Sequence, residues 1–529
     1  MWERFGYYLM IGIFFLYMTD DSTGGMSLDR KKAADIFGTF IALVYVTPFI
    51  GGMLADRLLG YRRAIIIGGL MMGLGYIGLS LQGSSFFYAS LGLIIVGNGF
   101  FKPNISTLLG NLYNRPEFKA NKDSGFNIFY MGINVGAFIC NFFAAYLRHS
   151  FGWGSAFLAA GVGMFIGVIV FMLGYAKYAE GDVRQAKKEG ERSVLLTFSM
   201  VLIPAAISGY IGWILPDNIF GSDSTDAFLL GTIPVVAFFL SLYFGASKEE
   251  KKPIAALLAI MGVGIIFWAI FKQNGTALTT WAESYTDRQL PASIQPIADK
   301  LHLTVDIPYV KDSVTLSDEQ FRPLKDEAGK NIRGWDYPSY FKNMPPDERP
   351  SPGNSVKVVS TEIFQSANPF FVVALTPLVV AFFSFLRRRK REPSTPTKFF
   401  LGLFIASLST LVMVAASIVA HNGLEKSSAL WLIGAYGVIT VGELCLSPIG
   451  LSLVSKLSPP RIGALMMGGL MLSISIGNKL SGVLASMWDG YETKSNFFLV
   501  NCVVSGCAAL GIFLMLKWLK RIMKEHGIE

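Results

Sequence analysis

The chain has 529 residues, of which 52% are hydrophobic and only 16% charged, against roughly a quarter charged in soluble globular domains. That balance excludes a soluble enzyme or binding module and describes a polytopic, all-α membrane protein. The formal net charge of +9 does not argue for nucleic acid, because the cations fall in short clusters between apolar stretches, where positive-inside topology places them.

Fourteen stretches are long enough to cross a bilayer, near 2–19, 35–56, 63–82, 86–111, 124–147, 155–176, 193–215, 226–246, 253–273, 364–386, 398–420, 428–455, 463–487 and 495–519. Basic clusters at Arg57 to Arg63, Arg115 to Lys122, Lys177 to Arg192, Lys248 to Lys252, Arg387 to Arg391, Lys456 with Arg461, and Lys517 to Lys524 alternate with these spans. Those loops are expected in the cytoplasm together with both termini, and Arg30, Lys31 and Lys32 are a tolerated exception. The chain opens inside its first span, so a short native N-terminus is expected ahead of Met1. Residues 275–363 are polar and rich in proline. They form either a small external subdomain or a mobile loop, with irregular structure expected after a helical start at Thr279 to Glu283.

The division that follows is 1–178 for a first six-helix half, 179–252 for a linker with an extra helix pair, 253–274 for the first helix of a second half, 275–363 for the insert and 364–529 for the remainder. Cys140, Cys445, Cys502 and Cys507 show no metal or disulfide spacing and are expected as small core residues. His149, His302, His421 and His526 are expected in loops or tails, which leaves no membrane-buried imidazole to carry protons. No metal site, phosphate loop or nucleophile–base pair supports an enzyme, and no cofactor is implied.

The chemistry lies in polar residues set into apolar spans. In Met1-Trp-Glu3-Arg4-Phe-Gly-Tyr7-Tyr8, Glu3 stands one helical turn from Tyr7 and Arg4 one turn from Tyr8. An ionised side chain in hydrocarbon costs roughly 2.5–3.5 kcal/mol, so the pair is expected to face a bundle interior or an aqueous cavity. Gly97-Asn-Gly-Phe-Phe-Lys102-Pro103-Asn104 puts a lysine well inside the fourth span, and Gly442-Glu443-Leu-Cys-Leu-Ser447-Pro448 puts a carboxylate inside the twelfth. Lys102 and Glu443 lie about 24 and 22 Å along their spans at ~1.5 Å per residue, hence at similar depth. Gly51-Gly-Met-Leu-Ala-Asp56-Arg57-Leu-Leu-Gly60-Tyr-Arg62-Arg63 closes the second span with a loop whose charges suit a gate.

The segment Gly51 to Arg63 resembles the loop signature of the major facilitator superfamily. With Phe126-Asn-Ile-Phe-Tyr-Met-Gly-Ile-Asn134-Val-Gly-Ala137, the motifs at Glu3, Lys102 and Glu443 resemble the proton-dependent oligopeptide transporter family, in a bacterial member. The likeness covers nearly all of the chain except the insert. It implies two six-helix halves around a cavity of alternating access, with the pair at 193–215 and 226–246 similar to the extra helices of bacterial members. It also implies a monomer in the bacterial plasma (inner) membrane that imports di- and tripeptides with co-transported protons. Carried over by motif, Glu3, Arg4 and Lys102 would couple protons, and Tyr7, Tyr8, Tyr45, Asn134, Trp268 and Asn368 would line the substrate site. Glu443, also counted in the proton-coupling set, would receive the peptide amino group near Ser447, and Asp56, Arg57 and Arg62 would form the gating loop. A peptide zwitterion needs an opposite charge at each end, which Lys102 and Glu443 supply.

Three positions depart from the family pattern. Its first glutamate would fall just ahead of Met1 and is expected in the native N-terminus; Ile11 stands where an arginine is common; Lys272, in Phe267-Trp268-Ala-Ile-Phe-Lys272, stands where many members carry an acid. Two readings of Lys272 compete: a lysine reaching the outer interface, or one that binds the peptide carboxylate or pairs with Glu443, joining both the coupling and substrate sets. Lys479, near the outer end of its span, is read as snorkelling. A carrier of another solute, such as an anion or modified peptide, is the alternative, and a peptide-binding receptor is a further one.

Overall fold

The computed structural model describes residues 1–21, 24–113, 117–118, 122–183, 194–327, 329–459 and 462–525. Long apolar runs become helices because a bilayer offers no partner to a free backbone N–H or C=O. In chain order they are α1 (Trp2–Thr19), α2 (Arg30–Leu54), α3 (Tyr61–Ser80), α4 (Ser84–Leu112), α5 (Lys122–Phe151), α6 (Trp153–Leu173), α7 (Val194–Trp213), α8 (Asp223–Phe244) and α9 (Lys248–Phe271). Two short helices, α10 (Ala277–Ser284) and α11 (Gln295–Lys300), precede α12 (Ala367–Arg388), α13 (Thr395–Val419), α14 (Ala429–Leu457), α15 (Gly463–Ser486) and α16 (Lys494–Glu525).

Helices α1–α6 pack as one group, with α3 on α4 and α6, α2 on α4, and α1 on α5 and α6. Helices α9 and α12–α16 form the second, with α13 on α14 and α16, and α9 on α15 and α16. The hairpin α7–α8 stands apart, α8 touching α2, α9 and α15. Among the described residues twelve helices are long and apolar enough to span a bilayer, two fewer than the fourteen expected. The difference lies in α1, whose Glu3 and Arg4 lower its mean hydropathy, and α7, whose apolar stretch is counted only over Ser199–Trp213.

The main seam between the groups is α2 against α15. Glycines permit it: a Cβ on Gly38 would come within 2.8 Å of the Gly482 Cα, so the two backbones touch as small-residue contacts allow. Beside this crossing, Lys479 overturns the snorkelling expectation. Its side chain is wholly buried and its ammonium lies 2.6 Å from Asp35 Oδ1, while it also donates to Thr39 Oγ1 at 2.6 Å and Ser224 Oγ at 3.2 Å. Thr225 of α8 donates to the same carboxylate at 2.9 Å, so the extra hairpin completes a clamp across the seam. Arg148 and Glu362 add a second cross-group pair at 3.1 Å. His149, expected in a loop, occupies the last turn of α5, and Cys507, expected in the core, is exposed.

The insert is a folded subdomain rather than irregular chain. Strands β2 (Thr304–Pro308) and β5 (Ser355–Val359) pair antiparallel, as do β3 (Asp312–Thr315) and β4 (Arg333–Asp336), around Tyr340, Phe341, Met344 and Val358. The two-residue strands β1 (Thr286–Asp287) and β6 (Ser427–Ser428) pair in parallel and tie the insert to the start of α14. Lys325 meets Asp29 at 2.7 Å, and Arg30 donates to the Phe321 carbonyl at 2.7 Å. The insert therefore holds both helical groups on the face that also carries the Asp35–Lys479 clamp.

Removing one partner of a buried ion pair costs about 3–5 kcal/mol, because the other charge is left unpaired. Asp35→Ala should therefore lower the thermal unfolding temperature in detergent markedly, and the double change Asp35→Asn with Lys479→Met should recover most of the loss. A wild-type unfolding temperature in Asp35→Ala would contradict the clamp.

Candidate substrate site

Between the helical groups lies a cavity of about 150 Å³ lined by Tyr7, Tyr8 and Tyr45 from the first group and by Trp268, Lys272, Asn368 and Glu443 from the second. Seven of the expected residues thus share one hollow. A larger polar hollow, about 440 Å³, separates the insert from the ends of α1 and α2 and contains none of them.

Glu3 and Arg4 are both buried and are paired with each other. Their pairing neutralises the charge beneath the cavity floor, where the guanidinium also lies 5.3 Å from the Tyr7 ring centre and 5.9 Å from that of Tyr8. Tyr45, on α2, joins this stripe to two lysines. Lys102 Nζ stands 3.9 Å from its ring centre and Lys272 Nζ 5.8 Å. Each ammonium thereby has the face or rim of an aromatic quadrupole within the ~6 Å over which the attraction is felt.

Lys272 reaches the cavity because the helix breaks beneath it. Helix α9 ends at Phe271, a 3₁₀ turn covers Lys272–Gly275, and α10 resumes at Ala277. Irregular backbone at membrane depth is stable only where it is buried in protein or lines a cavity, and here Asn274 and Gly275 do line it. The Asn274 carbonyl accepts from Thr279 Oγ1 at 2.8 Å and from the Tyr436 hydroxyl at 3.3 Å. The interface-lysine reading of Lys272 is thus excluded by geometry, and it makes no ion pair with Glu443 either.

Across the hollow, Asn368 in the first turn of α12 donates to Glu443 Oε2 at 3.1 Å and to Thr440 Oγ1 at 2.9 Å. One amide thus fixes the carboxylate against α14 while leaving its other oxygen for a ligand. The lining thus carries an anion at Glu443 and a cation at Lys272 together with phenol and indole rings, and Lys102 adds a second cation behind Tyr45.

Other expected residues fall elsewhere. Asn134 does not line the cavity; its amide donates to the Tyr130 carbonyl of its own helix at 3.0 Å. Lys102 approaches the cavity only through Tyr45. The side chains of Ser447 and Arg57 lie outside the described residues. Arg62 binds Asp182 at 2.9 Å and the Tyr175 carbonyl at 2.9 Å, while Asp182 caps α3 by accepting from the Tyr61 amide at 2.6 Å. The loop at Asp56 is so fastened to the end of its own helical group.

Asn141 and Gln365 are among the lining residues that went unread in the sequence. Asn141 donates to Ser366 Oγ at 3.0 Å, and Gln365 to the Gly12 carbonyl at 3.0 Å, each joining the two groups. An asparagine inside the apolar stretch 124–147 was signal enough for the first; Gln365 sits at the edge of the polar insert, where nothing marks it.

The PTR2 model of the POT family matches residues 62–300 and 354–499. The chain belongs to the POT family. The unmatched stretch between these regions falls within the insert. The chain is 30% identical to the uncharacterised transporter YclF of Bacillus subtilis (strain 168), over 99% of this chain and 93% of the relative. It is 27% identical to a di-/tripeptide transporter of Lactococcus lactis subsp. lactis (strain IL1403), over 99% of this chain and 94% of that one. Among solved structures it resembles a peptide transporter POT in complex with sulfate, with a TM-score of 0.75 and 28% identity, covering 98% of this chain and 92% of that chain.

A hydrogen bond to a charged group contributes about 1.5–3 kcal/mol. Asn368→Leu, which removes both bonds with little change of volume, should destabilise the purified protein by that order in thermal unfolding. An unchanged transition would show that Glu443 is not held by this amide.

Proposed function

We propose that this POT-family chain is a proton-coupled symporter that imports di- and tripeptides by alternating access, in a bacterial inner membrane. The observation that carries the reading is a cavity between two helical groups whose lining holds both a carboxylate, Glu443, and an ammonium, Lys272, with the Lys102 ammonium behind Tyr45. A short peptide is a zwitterion whose two ends need those charges in a desolvated pocket, while side-chain diversity is tolerated because the termini and backbone supply the affinity. The names of similar proteins, a di-/tripeptide transporter and a peptide transporter, support the same substrate class. In this reading both termini are cytoplasmic and the insert is external, so the clamped face is the outer gate and the state is closed to the outside.

Coupling rests on carboxylates whose affinity for protons changes as a cation leaves or approaches. Protonation of Glu3 ends its attraction for Arg4 and frees the guanidinium, beside Tyr7 and Tyr8, to contribute to substrate binding. Proton and peptide then act as ligands that jointly favour one access state, which is all that symport requires thermodynamically.

The experiment is uptake of labelled dialanine into proteoliposomes of the purified protein, with and without an inward pH gradient. Accumulation above equilibrium should need the gradient. Glu3→Gln should keep peptide exchange across the membrane and lose gradient-driven accumulation; retained accumulation in that variant would remove Glu3 from the coupling step. Binding of peptide with no flux in the wild type would make the protein a receptor.

A further inference from the structure

Helix α12 ends in five successive cations, Arg387 to Arg391. Positive-inside topology places cations at this end of a span, but it requires neither so many together nor their isolation from carboxylates. Elsewhere such residues are engaged: Arg62 meets Asp182, and Lys252 meets Glu525. Here the one acid between Glu362 and Glu425 is Glu392, and it is taken by Arg387 at 2.5 Å and Lys398 at 2.6 Å. Among the described residues that leaves Arg388, Arg389, Lys390 and Arg391 exposed and without an ion pair. The turn that ends the helix also sets Lys390 at φ 55°, a left-handed conformation ordinarily given to glycine. A cation is therefore kept where the backbone favours a residue with no side chain.

The helix above this run faces lipid. Val372 is the only buried residue of α12, and the exposed Leu378, Phe382 and Phe385 fall on one face at helical spacing. Arg389 continues that face, its guanidinium 4.3 Å from the Phe385 ring centre, so the apolar stripe runs directly into the cations. We propose that this face binds an anionic phospholipid, with its acyl chains along Leu378, Phe382 and Phe385 and its phosphate among Arg388 to Arg391. A guanidinium presents paired N–H donors that match two phosphate oxygens, and a juxtamembrane basic cluster attracts anionic headgroups in proportion to its charge. Four cations with no carboxylate among them prefer a head of net negative charge to a zwitterionic one, whose own ammonium they repel. The surface lies at the opposite end of α12 from Asn368, and the inference does not depend on which solute the protein carries.

The test is native mass spectrometry of the full chain in detergent, titrated with phosphatidylglycerol or with phosphatidylcholine of the same acyl chains. The wild type should take up its first phosphatidylglycerol at about ten-fold lower lipid concentration than its first phosphatidylcholine, equivalent to about 1.4 kcal/mol. Arg388→Gln, Arg389→Gln, Lys390→Gln and Arg391→Gln together should bring the two lipids to within about two-fold of each other. Two control sets should keep the wild-type preference. Arg388→Lys, Arg389→Lys and Arg391→Lys together preserve the charge, which separates its loss from loss of fold. Lys517→Gln, Lys520→Gln and Lys524→Gln together remove charge from the basic cluster of α16 instead. Equal binding of the two lipids by the wild type, an unchanged preference after the four glutamine substitutions in the run, or loss of the preference in either control set would overturn the inference.

Discussion

An ionised side chain survives at the depth of a bilayer only beside a counter-charge, a dipole or water, and that constraint arranges this molecule. Among the described residues, the charges singled out within the spans gather at one place between the helical groups. Glu3 lies on Arg4, Arg4 on Tyr7 and Tyr8, and the tyrosine stripe adjoins Tyr45, which receives Lys102 and Lys272. Glu443 stands in the same hollow on the facing wall. The break after Phe271 follows from the same requirement: helical continuity is given up where backbone borders the cavity, and the carbonyl freed at Asn274 is claimed by Thr279 and Tyr436.

The seam between the helical groups has a different character. Glycine contacts bring α2 and α15 together, and a buried ion pair with hydroxyl support from α8 holds them on the face that bears the insert. A carrier that changes access must break that pair, so its energy belongs to the difference between the two access states. The hairpin α7–α8, peripheral by packing, enters this equilibrium through Ser224 and Thr225. The insert enters it as well, since it grips Asp29 and Arg30 on one side and Ser427 on the other.

Much of this was legible in the amino-acid order because charge in hydrocarbon is expensive and therefore conspicuous. Glu3, Arg4, Lys102, Lys272 and Glu443 stand out against apolar neighbours without any coordinates. What escaped was pairing and direction. Lys479 reads as a snorkelling lysine because its partner Asp35 lies more than four hundred residues earlier, and only the fold brings them together. Asn134 reads as a cavity residue, yet an asparagine in a helix can satisfy itself on the carbonyl four residues back, and periodicity does not reveal that choice. The insert's strands are two to five residues long, too short for an alternating pattern to declare itself, and they depend on the membrane helices for support.

The most direct test of the two-pole cavity is binding of dialanine and its capped forms to the purified protein by calorimetry. Opposite charges at Glu443 and at Lys102 with Lys272 predict that acetylating the amino end and amidating the carboxyl end each weaken binding by more than about ten-fold, or 1.4 kcal/mol. Equal affinity for free and capped dipeptides would contradict it.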